Sequence, residues 1–277
     1  MAETVTARLA RGEKPDLLIS DVDGTLVTSD KLLTPAAIEA SLRLEAAGIG
    51  FSLISARPPR GLMYVVGPMR LRLPFAAFNG GAIVAPDGTV LASHPLPREW
   101  AEIALRLLEG GGVDTWVFAG DDWLLDNIDG PNVGREQRTV HFAPHVVADF
   151  AGVAAPIGKV VGVSNDHGRL DACEAAVRTA LAGKASVSRS QAYYLDISSL
   201  AATKGQGVAA LCDRIGTPLA RTAVVGDMYN DISMFDVAGL AIAMGQAPDA
   251  VKARAQRLTR SNAEDGFAAA VDDLLAL

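Results

Sequence analysis

An apolar run, Leu17-Leu18-Ile19, leads without a break into Asp21-Val22-Asp23-Gly24-Thr25. A buried strand that ends in two carboxylates is hard to explain by packing. If residues 17–20 form a strand, alternation puts Asp21 and Asp23 on one side just past its carboxyl end. Two carboxylates so close raise each other's pKa unless a cation lies between them. The pair therefore points to a hard, oxygen-binding metal such as Mg²⁺. Gly24 supplies a tight turn or a close backbone approach, and Thr25 a hydroxyl. The plain alternative is a strand followed by an Asp-Gly surface turn.

The rest of the chain repeats the pattern. Thr34-Pro35 gives a helix cap followed by proline at the first helical position, and Gly48 closes that helix. The strand predicted over 49–55 ends in Ser55-Ala56-Arg57, which again puts polar groups at a carboxyl end. Strand, helix and strand imply a parallel pair with a right-handed crossover. A short strand over 74–78 runs into Asn79-Gly80-Gly81, a permissive turn. Residues 82–93 then alternate around Pro86-Asp87-Gly88 as an antiparallel hairpin.

From there to about residue 198, antiparallel strands with a helix or two suggest an α+β module. The α/β rhythm resumes with a helix over 204–215, a strand over 222–225 that runs into Gly226-Asp227-Met228-Tyr229-Asn230-Asp231, and a terminal helix over 266–275. The expected organisation is a leader at 1–15, poorly ordered and ending at Pro15. An α/β core with a parallel sheet follows in two parts, 16–83 and 199–277, around an inserted α+β domain at 84–198.

Bulk properties narrow the function. The chain has 277 residues and a net charge of −7, with no basic stripe, so no nucleic-acid partner is expected. No apolar run reaches the roughly 20 residues of a membrane helix, and residues 1–13 lack the apolar segment of a secretory signal. Cys173 and Cys212 lie far apart without metal-ligand spacing. They are read as buried reduced thiols, which places the protein in the cytoplasm.

In an open parallel sheet, ligands bind beyond the carboxyl ends of the strands. Four segments bring polar groups there: Asp21 with Asp23, Ser55 with Arg57, Lys204 at a helix start, and Asp227 with Asn230 and Asp231. Acids for a divalent cation, a lysine and a hydroxyl for phosphoryl oxygens, and free backbone N–H groups make a metal and phosphate site. Taken singly, Lys204 reads as a solvated helix residue, Ser55 as a helix cap and Asn230-Asp231 as an N-cap pair.

Those stretches resemble a known family. Asp21-Val22-Asp23-Gly24-Thr25-Leu26, Ser55-Ala56-Arg57, Asn79-Gly80-Gly81, Thr203-Lys204-Gly205 and 226–231 look like the motifs of the haloacid dehalogenase (HAD) superfamily. The tail at 243–247 and 261–266 resembles its Cof-type branch, subfamily IIB, which has a Rossmann-like three-layer core and a cap of the C2B type. One departure is Ala56, where the branch usually has glycine; the backbone N–H survives if its φ is negative.

The resemblance implies a Mg²⁺-dependent phosphatase of small phosphorylated metabolites, sugar phosphates above all. Asp21 would be the nucleophile that forms an aspartyl phosphate, and Asp23 the general acid and base. Asp21, the Asp23 carbonyl and Asp227 would hold the metal. Ser55, Ala56, Arg57, Lys204 and Asn230 would hold phosphate or substrate, with Asp231 orienting Lys204 or a water on the metal. A phosphomutase of the same branch, a receiver-like regulatory module and a silent sugar-phosphate sensor are the alternatives. Specificity would lie in the cap, with Trp116, Asp122, Trp123, Arg135, Arg138, His141 and His145 as candidates. The oligomeric state is not readable from the motifs.

Overall fold

A computed structural model describes residues 8–277 of the chain. In chain order the elements begin with β1 (Leu17–Asp21), α1 (Pro35–Ala46), β2 (Gly50–Ile54), α2 (Met63–Val66), β3 (Phe75–Ala77), β4 (Ala82–Val84) and β5 (Val90–Ser93). Next come α3 (Arg98–Gly110), β6 (Asp114–Ala119), β7 (Asp122–Leu125), α4 (Val133–Val140), β8 (His145–Val146), β9 (Ile157–Val163), α5 (His167–Ala180), β10 (Ala185–Gln191) and β11 (Tyr194–Ser199). The chain closes with α6 (Lys204–Ile215), β12 (Thr222–Gly226), α7 (Ile232–Val237), β13 (Leu240–Ala243), α8 (Asp249–Lys252), β14 (Arg257–Leu258) and α9 (Gly266–Leu275).

Two sheets result. The larger has eight strands in the order β14-β13-β12-β1-β2-β3-β4-β5. It is parallel from β14 to β3, with β1 central and paired to β12 and β2. Helices cover both faces, so β1 is buried along its whole length and its first three residues are apolar in succession rather than alternating. Leu18 packs on the α1 and α9 side with Leu44, Phe267 and Val271, while Leu17 and Ile19 meet Val208, Leu211 and Phe235 from α6 and α7. This three-layer α/β arrangement leaves the carboxyl ends of β1, β2 and β12 along one edge.

The hairpin at 82–93 changes one expectation. An insertion starting at residue 84 would assign the hairpin to the cap, yet β4 and β5 extend the large sheet, with Ala76 opposite Ile83 and Ala82 opposite Ser93. Ile83 and Val84 are buried there, so the hairpin closes one flank of the core. The expected leader also needs correction where the structure describes it. Its residues 1–7 lie outside the described residues. Beyond them, Leu9 N donates to Gly239 O at 2.9 Å and Lys14 Nζ to Leu275 O at 2.7 Å, which ties 8–15 to the core.

The smaller sheet has six strands in the order β10-β11-β9-β6-β7-β8, antiparallel except for β7 and β8. Its outer face packs Val117, Val160 and Leu195 under α3 and α5. The inner face presents Trp116, Phe118, Trp123, Val161 and Tyr194, which join one apolar cluster with Leu62, Phe78 and Val140. The contact is close at Gly158, where an added Cβ would lie 2.5 Å from the Phe78 ring. Helix α4, absent from the sequence expectation, bridges the two layers beneath this sheet. It starts from Asn132 in a left-handed conformation without a capping side chain, so the usual start signal is missing.

We propose that the large-sheet layer folds without residues 96–198. A short Gly/Ser linker in their place should leave a core that unfolds in one cooperative denaturant transition, at a lower midpoint because Leu62 and Phe78 lose their apolar cover. A truncated chain with no cooperative transition would show that the two layers form a single folding unit.

Candidate active site

The carboxyl edge of the large sheet carries a chain of buried charges. Asp21, the last residue of β1, is 4% exposed and Lys204, the first of α6, is 2% exposed. Lys204 Nζ lies 2.6 Å from Asp21 Oδ1 and 2.5 Å from Asp231 Oδ1. Thr203 starts α6 by accepting Gln206 N on its hydroxyl, which fixes where the lysine emerges. Taking such ions out of water costs several kcal/mol each unless they are paired and hydrogen-bonded. Here every charge has an opposite neighbour.

The second oxygen of Asp231 accepts from the backbone N–H of Asp227 at 2.7 Å and of Met228 at 2.8 Å. Both of its oxygens are thus engaged, and the loop after β12 is wrapped around it. Asp227 is left beside Asp21. One oxygen from each of Asp21, Asp227 and Asp231 falls within 4.8 Å of the others. Asp227 receives only long bonds, from Thr25 Oγ1 at 3.3 Å and Gln246 Nε2 at 3.4 Å. Gly24 allows the approach: its φ is +82°, and an added Cβ would stand 2.3 Å from Asp227 Oδ2.

Electrostatics at the three acids follows from the same burial. Burial pushes the Asp21 carboxyl well above its ordinary range, with Asp231 and Asp227 adding to the rise and Lys204 opposing it. Asp227 is pushed up to about 7 by burial and by Asp231. For Lys204, burial works against the charge, yet Asp21 and Asp231 hold its pKa above the usual value. Asp21 and Asp227, acids that a single lysine leaves under-neutralised, fit a divalent cation with oxygen ligands.

Asp23 lies elsewhere than its neighbour. Arg57 grips it with two bonds, Nε to Oδ2 and Nη2 to Oδ1, each 2.7 Å, and Lys31 Nζ lies 2.7 Å from Oδ1. Burial alone would raise its pKa, but Arg57 and Lys31 outweigh it and hold the carboxyl far below the ordinary range. As found, Asp23 is an ionised carboxylate. Arg57, expected on the phosphate, is instead committed to Asp23 and to the backbone oxygen of Thr139 in α4. That places a core side chain across the gap to the cap.

The remaining expected residues line the same edge. Ser55 is buried and its hydroxyl accepts from Arg57 N at 3.2 Å, which leaves its proton free to donate. Ala56 is absent from the residues with positive φ, so the missing glycine does not misdirect its N–H. Asn230 Nδ2 donates to Asn79 Oδ1 at 3.3 Å, so the expected turn at 79–81 ties down the β12 loop.

Above them is a cavity of about 630 Å³, lined on its far side by the cap. Of the cap candidates, Arg135 and Arg138 line it. Trp116 and Trp123 are buried in the cap's inner layer, with centroids 5.1 Å apart. Asp122 and His145 pair at 3.4 Å on the exposed surface, and His141 stacks on Tyr64. The sequence reading missed Lys31, Glu136, Lys159, Tyr193 and Tyr194, all of which line the cavity. Glu136 sits between the two arginines it did pick.

A family model described as haloacid dehalogenase-like hydrolase matches residues 18–271. A pyridoxal phosphate phosphatase of Escherichia coli is 26% identical over 258 residues, covering 90% of this chain and 94% of that protein. A 5-amino-6-(5-phospho-D-ribitylamino)uracil phosphatase of Bacillus subtilis is 25% identical over 285 residues, covering 95% and 99%. Among solved structures, a haloacid dehalogenase-like hydrolase from Bacteroides thetaiotaomicron superposes with a TM-score of 0.87 at 28% identity, covering 94% of this chain and 100% of that one. None of the helices among the described residues is long and apolar enough to cross a membrane.

The charge chain predicts a stability effect. Lys204→Met should cost about 3 kcal/mol or more in the absence of divalent cations, because Asp21 and Asp231 would face each other unpaired. Millimolar Mg²⁺ should recover part of the loss. Denaturant midpoints of both proteins with and without Mg²⁺ check this, and an Mg²⁺-insensitive deficit would remove the cation from the Asp21–Asp227 pair.

Proposed function

This chain belongs to the haloacid dehalogenase-like hydrolases, as a phosphoric monoester hydrolase, and from that we propose that it hydrolyses small phosphorylated metabolites, sugar phosphates foremost, with Mg²⁺ and through an aspartyl phosphate. The observation that carries the reading is the pair of buried, under-neutralised acids Asp21 and Asp227 with Lys204 beside them, where Asp21 lines an open cavity between core and cap. The two named relatives act on chemically different phosphate esters at similar identity. That supports the class of small phosphorylated metabolites.

Asp21 is the nucleophile: its oxygen bonds to phosphorus as the bond from phosphorus to the leaving oxygen breaks. Lys204 and the Ser55 hydroxyl hold the phosphoryl oxygens, and the Ala56 N–H adds a donor, which suits a reaction whose catalysis is mostly positioning and charge stabilisation. Asp21, Asp227 and the Asp23 backbone carbonyl would hold Mg²⁺, which supplies neutralisation of two anionic reactants. Asp23 gives the leaving oxygen its proton and then takes one from the water that releases phosphate from Asp21. An incoming phosphoryl group competes for Lys31 and Arg57, which raises the proton affinity of Asp23 within the complex. The cap excludes water during these steps.

Three outcomes follow. Turnover of p-nitrophenyl phosphate should vanish with chelator and return with Mg²⁺ but hardly with Ca²⁺, whose looser coordination misplaces the nucleophile; full activity in excess chelator would exclude the metal. Asp21→Asn should abolish turnover and any covalent phosphoryl-enzyme. Asp23→Asn should slow alkyl phosphates by about a hundredfold or more and slow activated aryl phosphates less. Equal losses for the two substrate types would take the acid role from Asp23.

A further inference from the structure

The cavity wall opposite the acids contains a carboxylate with nothing to bind. Glu136, in the first turn of α4, is 8% exposed and lines the cavity. Lys159, the cation whose charge acts on it most, is instead hydrogen-bonded to Asp196 Oδ1 at 2.9 Å. Glu136 thus has neither an ion-pair nor a hydrogen-bond partner among the described residues. A buried unpaired carboxylate is a cost that packing does not explain.

Beside it stands Tyr194, also lining the cavity and 8% exposed, whose hydroxyl is buried without a hydrogen-bond partner. Glu136 is the charge that most affects the Tyr194 phenol. The ring is held edge-on to Trp116, with centroids 5.2 Å apart, so the hydroxyl is fixed in place. Glu136 lines the same cavity as Asp23 and Arg57 and feels the charges of both.

One carboxylate and one phenol, side by side and neither making a hydrogen bond, define what can bind against them. A hydroxyl can donate to Glu136 and accept from Tyr194 at once. A carboxylate or second phosphate could use only the phenol and would meet the charge of Glu136 in a low-dielectric site. We propose that Glu136 and Tyr194 form the subsite that selects the leaving part of the substrate, and that it takes a hydroxyl of an uncharged, polyol-like group. The inference rests on the phosphatase reading and narrows its substrate class.

The test measures kcat/KM of the full-length protein with Mg²⁺ on glucitol 6-phosphate, 6-phosphogluconate and p-nitrophenyl phosphate. The first two share a carbon skeleton and differ by a hydroxymethyl or a carboxylate at the far end. The unaltered protein should prefer glucitol 6-phosphate by about tenfold or more, the discrimination of a site with buried polar groups to satisfy. Glu136→Gln and Tyr194→Phe should each lower the glucitol 6-phosphate value by about tenfold more than the p-nitrophenyl phosphate value. Glu136→Gln should also raise the thermal midpoint of the ligand-free protein, because an unpaired buried charge is removed. A preference for 6-phosphogluconate, equal losses on all substrates, or a lowered midpoint would each overturn the subsite. No turnover of p-nitrophenyl phosphate by the unaltered protein would overturn the phosphatase reading and the subsite with it.

Discussion

The structure depends on one buried ammonium group. Lys204 is nearly inaccessible to water and sits between Asp21 and Asp231, which come from the central strand and the β12 loop. Without it, three acids would converge on one sheet edge with nothing to offset their repulsion. With it, Asp231 can spend its other oxygen on the backbone of Asp227 and Met228, so the lysine also shapes the loop that presents Asp227. The same contact closes the fold: α6 is sequence-distant from β1, and the ion triad registers it against the strand end.

A second charge group links the chemistry to the cap. Arg57 holds both oxygens of Asp23 and also reaches the Thr139 carbonyl of α4. Asp23 and the helix that carries Glu136 therefore share one guanidinium. A fork of N–H donors in a fixed plane suits this, because it can satisfy a carboxylate on one side and a carbonyl on the other. One side chain thus both keeps Asp23 ionised and touches the cap.

Much of the core was legible because polar residues at strand ends break the apolar pattern: Asp21, Ser55 and Asp227 each follow a run that burial explains. Their shared edge then follows from parallel topology. The cap was less legible for physical reasons. Glu136 lies in Arg135-Glu136-Gln137-Arg138, a polar run that reads as a solvated face, and its helix starts without a capping side chain. Tyr194 and Lys159 fall on strands whose alternation places them inward, but nothing in the sequence says that the inward face is a cavity wall rather than a core. The hairpin at 82–93 was read correctly as a hairpin and joined to the wrong layer, because strand pairing at a sheet edge is decided by tertiary contacts.

Gly158 has a role that neither charge nor catalysis assigns to it. The Phe78 ring occupies the space where any side chain at 158 would begin, and Phe78 itself adopts a φ of +50° that few bulky residues tolerate. Phe78 and Gly158 act as a mechanical stop between the two layers. A glycine on the cap sheet thus sets how closely the layers approach at this point, and even a single methyl group there would press on the Phe78 ring. The approach of the two layers therefore rests on a contact that does not itself line the cavity beside Asp21.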